Sequence, residues 1–349
     1  MNSIVITGGT GILGKLIIDD LLRTDSSIVL LIRAETQEKA EERAKNLLQK
    51  YTDDKKERIK ILKSDLTDEN LGIASKEYIN LKKNTTHILH AAASTKFNLP
   101  LDEARRNNVE TIKKLFDFAA DCSQLERFGH VSSAFVAGKR SGIIFEEDLE
   151  HDEGFLNTYE QSKYEAETFL RTKQDKIPLV IFRPSLIITP FRGSSTSPVS
   201  ALTLGLFLVR KGFLPILPGS ETNTLDIIEG EIASKAITDI FLKKTVSYRT
   251  YHVVSAKNSP TIGDLISLAK DQSGKKVSVR FCGDREKFQA ELKKVSRFRP
   301  DIAAIYKKTQ SFLPELAFPK LFDNRNFMKE LGIKTFSLHP TSKLKLLLK

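Results

Sequence analysis

Two side chains in Asn157-Thr158-Tyr159-Glu160-Gln161-Ser162-Lys163 have the types and spacing for proton-transfer chemistry, Tyr159 and Lys163. Residues four apart on a helix share a face about one turn apart, so this phenol and this ammonium can meet one bound ligand. By itself the pair says little, because many surface helices carry Tyr and Lys at that spacing by chance. It acquires a catalytic meaning beside a glycine-rich turn of the kind that holds a dinucleotide, and such a turn stands upstream at Thr7-Gly8-Gly9-Thr10-Gly11-Ile12-Leu13-Gly14.

That turn lies between the β-branched run Ile4-Val5-Ile6 and the helical spacing of Leu13 to Leu22. Between strand and helix, one glycine makes the tight turn, one lets backbone approach a pyrophosphate, and one lets helix and strand pack closely. A diphosphate would sit on the helix N-terminus, where free N–H groups and the dipole favour an anion. The second apolar run, Ile28 to Ile32, is followed by Arg33. An NAD site normally has Asp or Glu there, whereas a guanidinium pairs with a 2′-phosphate, so the expected cofactor is NADPH. Glu35 turned inward would restore NAD preference.

The elements that must position these groups alternate along the chain. Strands are expected at Ile28–Ile32, Ile59–Leu62, His87–His90, Arg127–Ser132 and Leu179–Phe182, with helices over Thr36–Lys50, Leu101–Ala120 and around Tyr159. This rhythm predicts an α/β fold, a Rossmann-type doubly wound parallel sheet, with ligands beyond the carboxyl ends of the strands. After Pro184 the texture changes. Pro190, Gly193, Ser194, Ser195, Ser197 and Pro198 make a loop, Ala201–Val209 an apolar helix, and Leu225–Lys243 with Tyr251–Ser255 a return to the sheet. The expected division is residues 1–184 and 225–256 as the nucleotide-binding domain, with 185–224 and 257–349 as a smaller, mainly helical substrate lobe.

The 349 residues can bury a large core, and 40% hydrophobic with 28% charged residues is ordinary for a globular protein. No apolar run reaches the roughly 18 residues of a membrane span and no signal-peptide pattern precedes the first strand, so a cytoplasmic location is expected. Cys122 and Cys282 are too few for a disulfide framework, and the six histidines lack metal-ligand spacing. The charge of +11 suits an acidic partner or anionic ligand, but basic residues are dispersed and no nucleic-acid-binding motif is present. The cationic Lys343–Lys349 tail reads as a solvated or packed end, or as a membrane-surface contact. Glu146-Glu147-Asp148 reads as a solvated acidic loop, the alternative being an acid/base cluster.

Taken together, the motifs resemble an extended short-chain dehydrogenase/reductase of the branch with fatty acyl-CoA reductases and thioester reductase domains. The residues that carry this are Thr7 to Gly14; Leu31-Ile32-Arg33-Ala34; Ser64-Asp65-Leu66-Thr67-Asp68-Glu69-Asn70-Leu71-Gly72; and His90-Ala91-Ala92-Ala93 with Phe97. They continue through Asn108-Val109, His130-Val131-Ser132-Ser133-Ala134-Phe135-Val136, Tyr159 to Lys163, and Phe182-Arg183-Pro184-Ser185.

The resemblance implies a catalytic trio of Ser133, Tyr159 and Lys163, with Ser133 where branch members commonly have Thr. Tyr159 would be the general acid, its pKa of about 10 lowered by about 2–3 units by Lys163⁺ and the oxidised nicotinamide. Lys163 would also hold the nicotinamide ribose, and Ser133 would donate to the substrate oxygen. The cofactor would be lined by Thr7 to Gly14, Arg33, Asp65, Leu66, His90, Ala91, Ala92, Ala93, Asn108, Val131, Ser132, Pro184 and Ser185. Asp65 would contact the adenine or cap its own loop, His90 would pack beside the cofactor, and Asn108 would bridge backbone and active-site water.

The implied activity is NADPH-dependent reduction of an acyl thioester, on CoA or a carrier protein, to the aldehyde, with or without a second reduction to the alcohol. Ala201–Val209 and Phe213–Pro218 would wall an acyl channel, or form a core helix and its loop. No adenylation or carrier segment is recognisable, so an acidic acyl carrier protein is expected in trans, and the stretch after the sheet is short for an acyl-CoA reductase of the eukaryotic type. The same trio would also serve a nucleotide-sugar epimerase or dehydratase or a carbonyl reductase, and a noncatalytic NADP-binding scaffold is the remaining class.

Overall fold

A computed structural model describes residues 2–189, 201–271 and 278–333. The expected loop from Pro190 to Pro198 and the Lys343–Lys349 tail lie outside the described residues.

The strands are β1 (Ser3–Thr7), β2 (Ser27–Arg33), β3 (Ile59–Ser64), β4 (His87–His90), β5 (Arg127–Val131), β6 (Gly142–Ile144) and β7 (Leu179–Pro184). They continue as β8 (Leu186–Ile188), β9 (Ile216–Leu217), β10 (Ile227–Glu229), β11 (Thr250–Val253), β12 (Arg280–Phe281) and β13 (Lys320–Phe322). Seven of them form one parallel sheet in the order β11-β7-β5-β4-β1-β2-β3. The order reverses between β1 and β4, the crevice where open α/β sheets bind ligands. Thr7 and His90 are register partners at that point.

Helices α1 (Ile12–Leu21), α2 (Gln37–Leu48), α3 (Asp53–Glu57), α4 (Ser75–Asn84), α5 (Leu101–Arg105), α6 (Thr111–Ala120), α7 (Thr158–Thr172), α8 (Ala201–Arg210) and α9 (Gly230–Phe241) surround these strands. Strand residues alternate between faces, and both faces are apolar because both are covered. Ile4, Ile6, Leu89, Val180 and Phe182 pack with α1, α2 and α9 through Ile17, Ala40 and Ile237. Val5, Ile88, Phe128 and Ile181 face the other way, onto Leu81, Ile112 and Leu170 of α4, α6 and α7. The described architecture is thus the doubly wound parallel sheet the alternation implies.

A separate apolar cluster joins α8, β9 and β10 to the helices α10 (Ile262–Asp271), α11 (Arg285–Phe298) and α12 (Pro300–Thr309). The chain then returns to the sheet. β13 pairs with β6, and Phe327 of α13 (Arg325–Leu331) is buried in the sheet core.

Candidate active site

The glycine turn is held against the loop after β4. Ala91 donates its N–H to the Thr7 carbonyl at 3.1 Å, and Ala92 donates to Thr7 Oγ1 at 3.3 Å. Gly8 has φ +77°, and a Cβ there would lie 2.5 Å from the Ala91 carbonyl carbon; a Cβ on Gly14 would lie 2.1 Å from the Gly8 oxygen. Side chains are therefore excluded by the meeting of strand, loop and helix. Gly11 is the N-cap of α1; no side chain caps the helix and no acidic residue occupies its first turn. Its N–H groups and dipole remain directed at Thr10, Gly11 and Ile12, which are half-buried or exposed, and this fits an anionic diphosphate.

The proton-transfer groups meet next to this turn, at the carboxyl end of β5. Ser133 follows β5 and N-caps a short 3₁₀ turn (Ala134–Ala137), accepting from the Phe135 N–H at 3.2 Å. Its hydroxyl is near enough to the Tyr159 phenol to favour the ionised form. Lys163, one turn along α7 from Tyr159, is buried and donates Nζ–H to the Val131 carbonyl at 2.7 Å. Ser133, Tyr159 and Lys163 thus converge from β5 and α7. Burial pushes the Lys163 ammonium down to about 7, against the opposing pull of the Glu167 carboxylate.

Tyr159 departs from expectation. Burial raises its pKa above the ordinary phenol value, and the nearby Ser133 hydroxyl offsets this only in part. Lys163 points its ammonium at a carbonyl, so the downward shift expected of the pair does not arise from the protein. The phenol is held protonated, as an acid rather than a phenolate.

Helix α7 is fixed at its start by reciprocal caps. Glu160 donates its N–H to Asn157 Oδ1 at 3.0 Å, while Leu156 N–H and Asn157 Nδ2 donate to the Glu160 carboxylate at 3.0 and 2.7 Å, the logic of a capping box. Burial and the neighbouring Glu315 carboxylate push Glu160 up to about 8. From the other side, the expected Leu101–Ala120 helix is interrupted by a π turn at Arg106–Glu110 that carries Asn108. Asn108 Nδ2 donates to Ser162 Oγ at 2.9 Å and to the Ser94 carbonyl at 3.1 Å; its Oδ1 accepts from Ser94 N–H at 2.8 Å. The Phe97 ring packs 5.7 Å from Tyr159.

Such an arrangement can hold a nucleotide on a helix N-terminus and a carbonyl oxygen between two hydroxyls. Residues 6–237, more than half of the chain, match the model of an NAD-binding family described as "Male sterility protein". The chain belongs to that family. Within the extended short-chain dehydrogenases/reductases, its fatty acyl-CoA reductase branch is the one this chain is similar to in sequence. It is 27% identical over 268 residues to the fatty acyl-CoA reductase wat of Drosophila melanogaster, covering 67% of this chain and 50% of that one. It is 26% identical over 278 residues to fatty acyl-CoA reductase 1 of Mus musculus, with 66% and 52% covered. The chain spans about half the length of the curated relatives it matches. Among solved structures, the terminal R domain of the myxalamid PKS-NRPS pathway has a TM-score of 0.79 at 22% identity, over 100% of this chain and 90% of that domain. UDP-glucuronic acid 4-epimerase from Bacillus cereus, in complex with NAD, has a TM-score of 0.66 at 17% identity, over 99% and 96%. Both share the fold.

For this male sterility family member, the remaining sequence-derived residues fall as follows. Arg33, exposed at the end of β2, donates Nη1–H to Asn107 Oδ1 at 3.2 Å. Glu35 pairs with Lys39 on the exposed side of α2. Asp65 Oδ1 accepts from Thr67 N–H at 3.0 Å and Thr67 Oγ1 at 2.8 Å, so it caps its own loop, with Leu66 half-buried beside it. His90 is buried, 2.7 Å from Thr7 Oγ1 and stacked 5.4 Å from the His130 ring; burial pushes it down to about 3, so it is neutral. Ala93 is exposed, Val131 and Ser132 are buried against α7, and Pro184 ends β7, after which Ser185 donates to the Val253 carbonyl at 3.3 Å. Cys122 and Cys282 are buried free thiols, and no metal-binding cluster is found among the described residues.

Glu146 overturns the reading of its segment as a solvated loop. It is fully buried and accepts main-chain N–H groups of His252, Asn326 and Phe327 at 2.9, 2.6 and 3.1 Å. Burial raises it to about 7 against those hydrogen bonds. Glu146 therefore ties β11 to the returning C-terminal segment, while Asp148 pairs with Arg140 at 2.8 Å and Glu147 is exposed.

Proposed function

We propose that the protein is an NADPH-dependent reductase of an acyl thioester, carried by CoA or by a carrier protein, that yields the aldehyde, or the alcohol where a second hydride transfer follows. The observation that carries this reading is the convergence of Ser133, Tyr159 and Lys163 beside an uncapped, glycine-lined helix N-terminus, in a chain of the fatty acyl-CoA reductase branch. NADPH, when bound, supplies the hydride to the thioester carbonyl carbon. Ser133 and Tyr159 hold the carbonyl oxygen between their hydroxyls, and Tyr159 gives its proton to the oxygen as negative charge develops there. The hemithioacetal then collapses, releasing thiol and aldehyde. Lys163 anchors the nicotinamide ribose, and Ser133 donates to the phenolate left on Tyr159.

Choice of NADPH is supported by Arg33 at the end of β2 and by Glu35 turned outward onto Lys39. The substrate lobe is proposed at residues 185–224 and 257–349, of which α13 packs back on the sheet core. Within it, Leu202, Leu206, Leu208, Val209, Leu214, Ile216 and Leu217 are core residues; Leu204 and Phe213 are partly buried against them and Phe207 is exposed, and these three are the side chains we propose for contact with an acyl chain. Among the described residues no helix is long and apolar enough to cross a membrane. The net charge of +11 suits CoA phosphates or an acidic carrier protein.

The test is NADPH oxidation against a panel of acyl-CoAs, acyl carrier proteins, aldehydes and nucleotide sugars. Thioester-dependent oxidation with exchangeable NADPH supports the reading. Tightly bound oxidised NAD with turnover of nucleotide sugars supports an epimerase, and no turnover at all a scaffold.

A further inference from the structure

Glu167 is a buried side chain outside the trio that bonds both to Ser132, just after β5, and to Arg183 of β7. It lies one helical turn beyond Lys163 on α7, on the same face, and is fully buried. Its carboxylate accepts from Ser132 Oγ at 2.8 Å, the residue before Ser133. Arg183 of β7, also buried, grips it through Nε at 3.0 Å from Oε2 and Nη2 at 2.5 Å from Oε1. Arg171 adds a contact at 3.1 Å.

Arg183 is itself fixed from behind. Its Nη1 lies 3.1 Å from His252 Nε2, and since a guanidinium only donates, Nε2 is the acceptor. His252 Nδ1–H then donates to the Asp323 carbonyl at 2.7 Å, so the imidazole is neutral with its proton on Nδ1. A buried ion pair of this kind costs desolvation and is weak evidence for stability. Its place beside the trio suggests a use.

We propose that Glu167 is a positioning residue for the reductase: one turn from Lys163 and bonded to both Ser132 and Arg183, its carboxylate is the buried countercharge of the Lys163 ammonium and orients the Ser132-Ser133 segment. This rests on the proposed reading of the trio. The charge balance around Lys163 supports it. From β4 and β5 come His90 and His130, whose burial holds both neutral, and from α7 itself come Tyr159, also neutral, and Glu167. Glu167 remains ionised because Arg183, Arg171 and Ser132 outweigh its burial. It is the one carboxylate that opposes the desolvation of Lys163.

A pH limb that moves in two variants and stays in a third separates this role from a merely structural one. In Glu167→Gln the ammonium loses its countercharge, so the alkaline limb of NADPH affinity moves down by about one pH unit. In Arg183→Met the buried carboxylate loses the guanidinium that does most to keep it ionised and takes up a proton more readily, so Lys163 loses countercharge and the limb moves down as well. Ser132→Ala lowers kcat and leaves the limb in place. NADPH affinity is followed by cofactor fluorescence between pH 5.5 and 9.5, with circular dichroism to confirm folding, and kcat and KM are added where a thioester turns over. The affinity limb reports on Glu167 even if no thioester is reduced, so failure of the two readings is distinguishable. If Glu167→Gln does not fold, Arg183→Met decides alone. An unmoved limb in either folded variant, or an upward shift in either, overturns the proposal.

Discussion

Asn108 donates its side-chain amide to Ser162 Oγ at 2.9 Å, and Ser162 Oγ in turn donates to the Tyr159 carbonyl at 2.9 Å. The bond joins a π turn in one helix to the turn of α7 that separates Tyr159 from Lys163. π turns interrupt helices frequently at functional sites; this one places an amide where a regular turn would not.

Asn108→Ala should therefore loosen α7 as well as remove hydrogen bonds. Three bonds are lost, two of them to the Ser94 backbone, and buried hydrogen bonds contribute about 1 kcal/mol each. A loss of about 2–3 kcal/mol in denaturant unfolding, together with lower kcat, is expected. Unchanged stability would show that the π turn does not hold the helix.

Cofactor choice should rest on Arg33. The kcat/KM ratio of NADPH to NADH should fall about tenfold or more in Arg33→Ala, because a charge-assisted pair with phosphate contributes roughly 1.5–3 kcal/mol. A wild-type preference for NADH, or a ratio that does not move, removes Arg33 from the site.

Stability should fall with rising pH through Glu160. Its folded pKa of about 8 lies above its ordinary value of 4.5, so the folded state holds a proton that the unfolded state releases, and the stabilisation present below 4.5 is lost as pH rises to about 8. Glu160→Gln imitates the protonated form. Set against a constant loss from one donor left without an acceptor, its Tm relative to wild type should be higher at pH 8 than at pH 4.5; an equal effect at both would show that Glu160 does not titrate across this range.

Much of this was readable from the sequence because it depends on local rules. Strand–helix alternation gives the parallel sheet, glycines between Thr7 and Gly14 mark the turn, and a spacing of four puts Tyr159 and Lys163 on one face. What escaped depends on residues distant in the chain. Glu146 sits in an acidic triplet that reads as solvated, and its partners His252 and Asn326 come from 106 and 180 residues away. The rise in the Tyr159 pKa follows from burial and from Lys163 turning to Val131, neither of which a spacing motif encodes. The π turn at Asn108 carries no glycine or proline signal in Arg106–Glu110.

The most direct measurement of the central claim is NADPH oxidation by acyl-CoA in wild type, Tyr159→Phe and Lys163→Ala, with cofactor affinity measured on the same samples. The account predicts thioester-dependent oxidation by the wild type and a loss of about 10²–10⁴-fold in kcat for Tyr159→Phe, which keeps the ring and removes only the acid. NADPH affinity should survive in Tyr159→Phe and fall together with turnover in Lys163→Ala. Near wild-type reduction by Tyr159→Phe, or turnover of nucleotide sugars with none of any thioester, would contradict it.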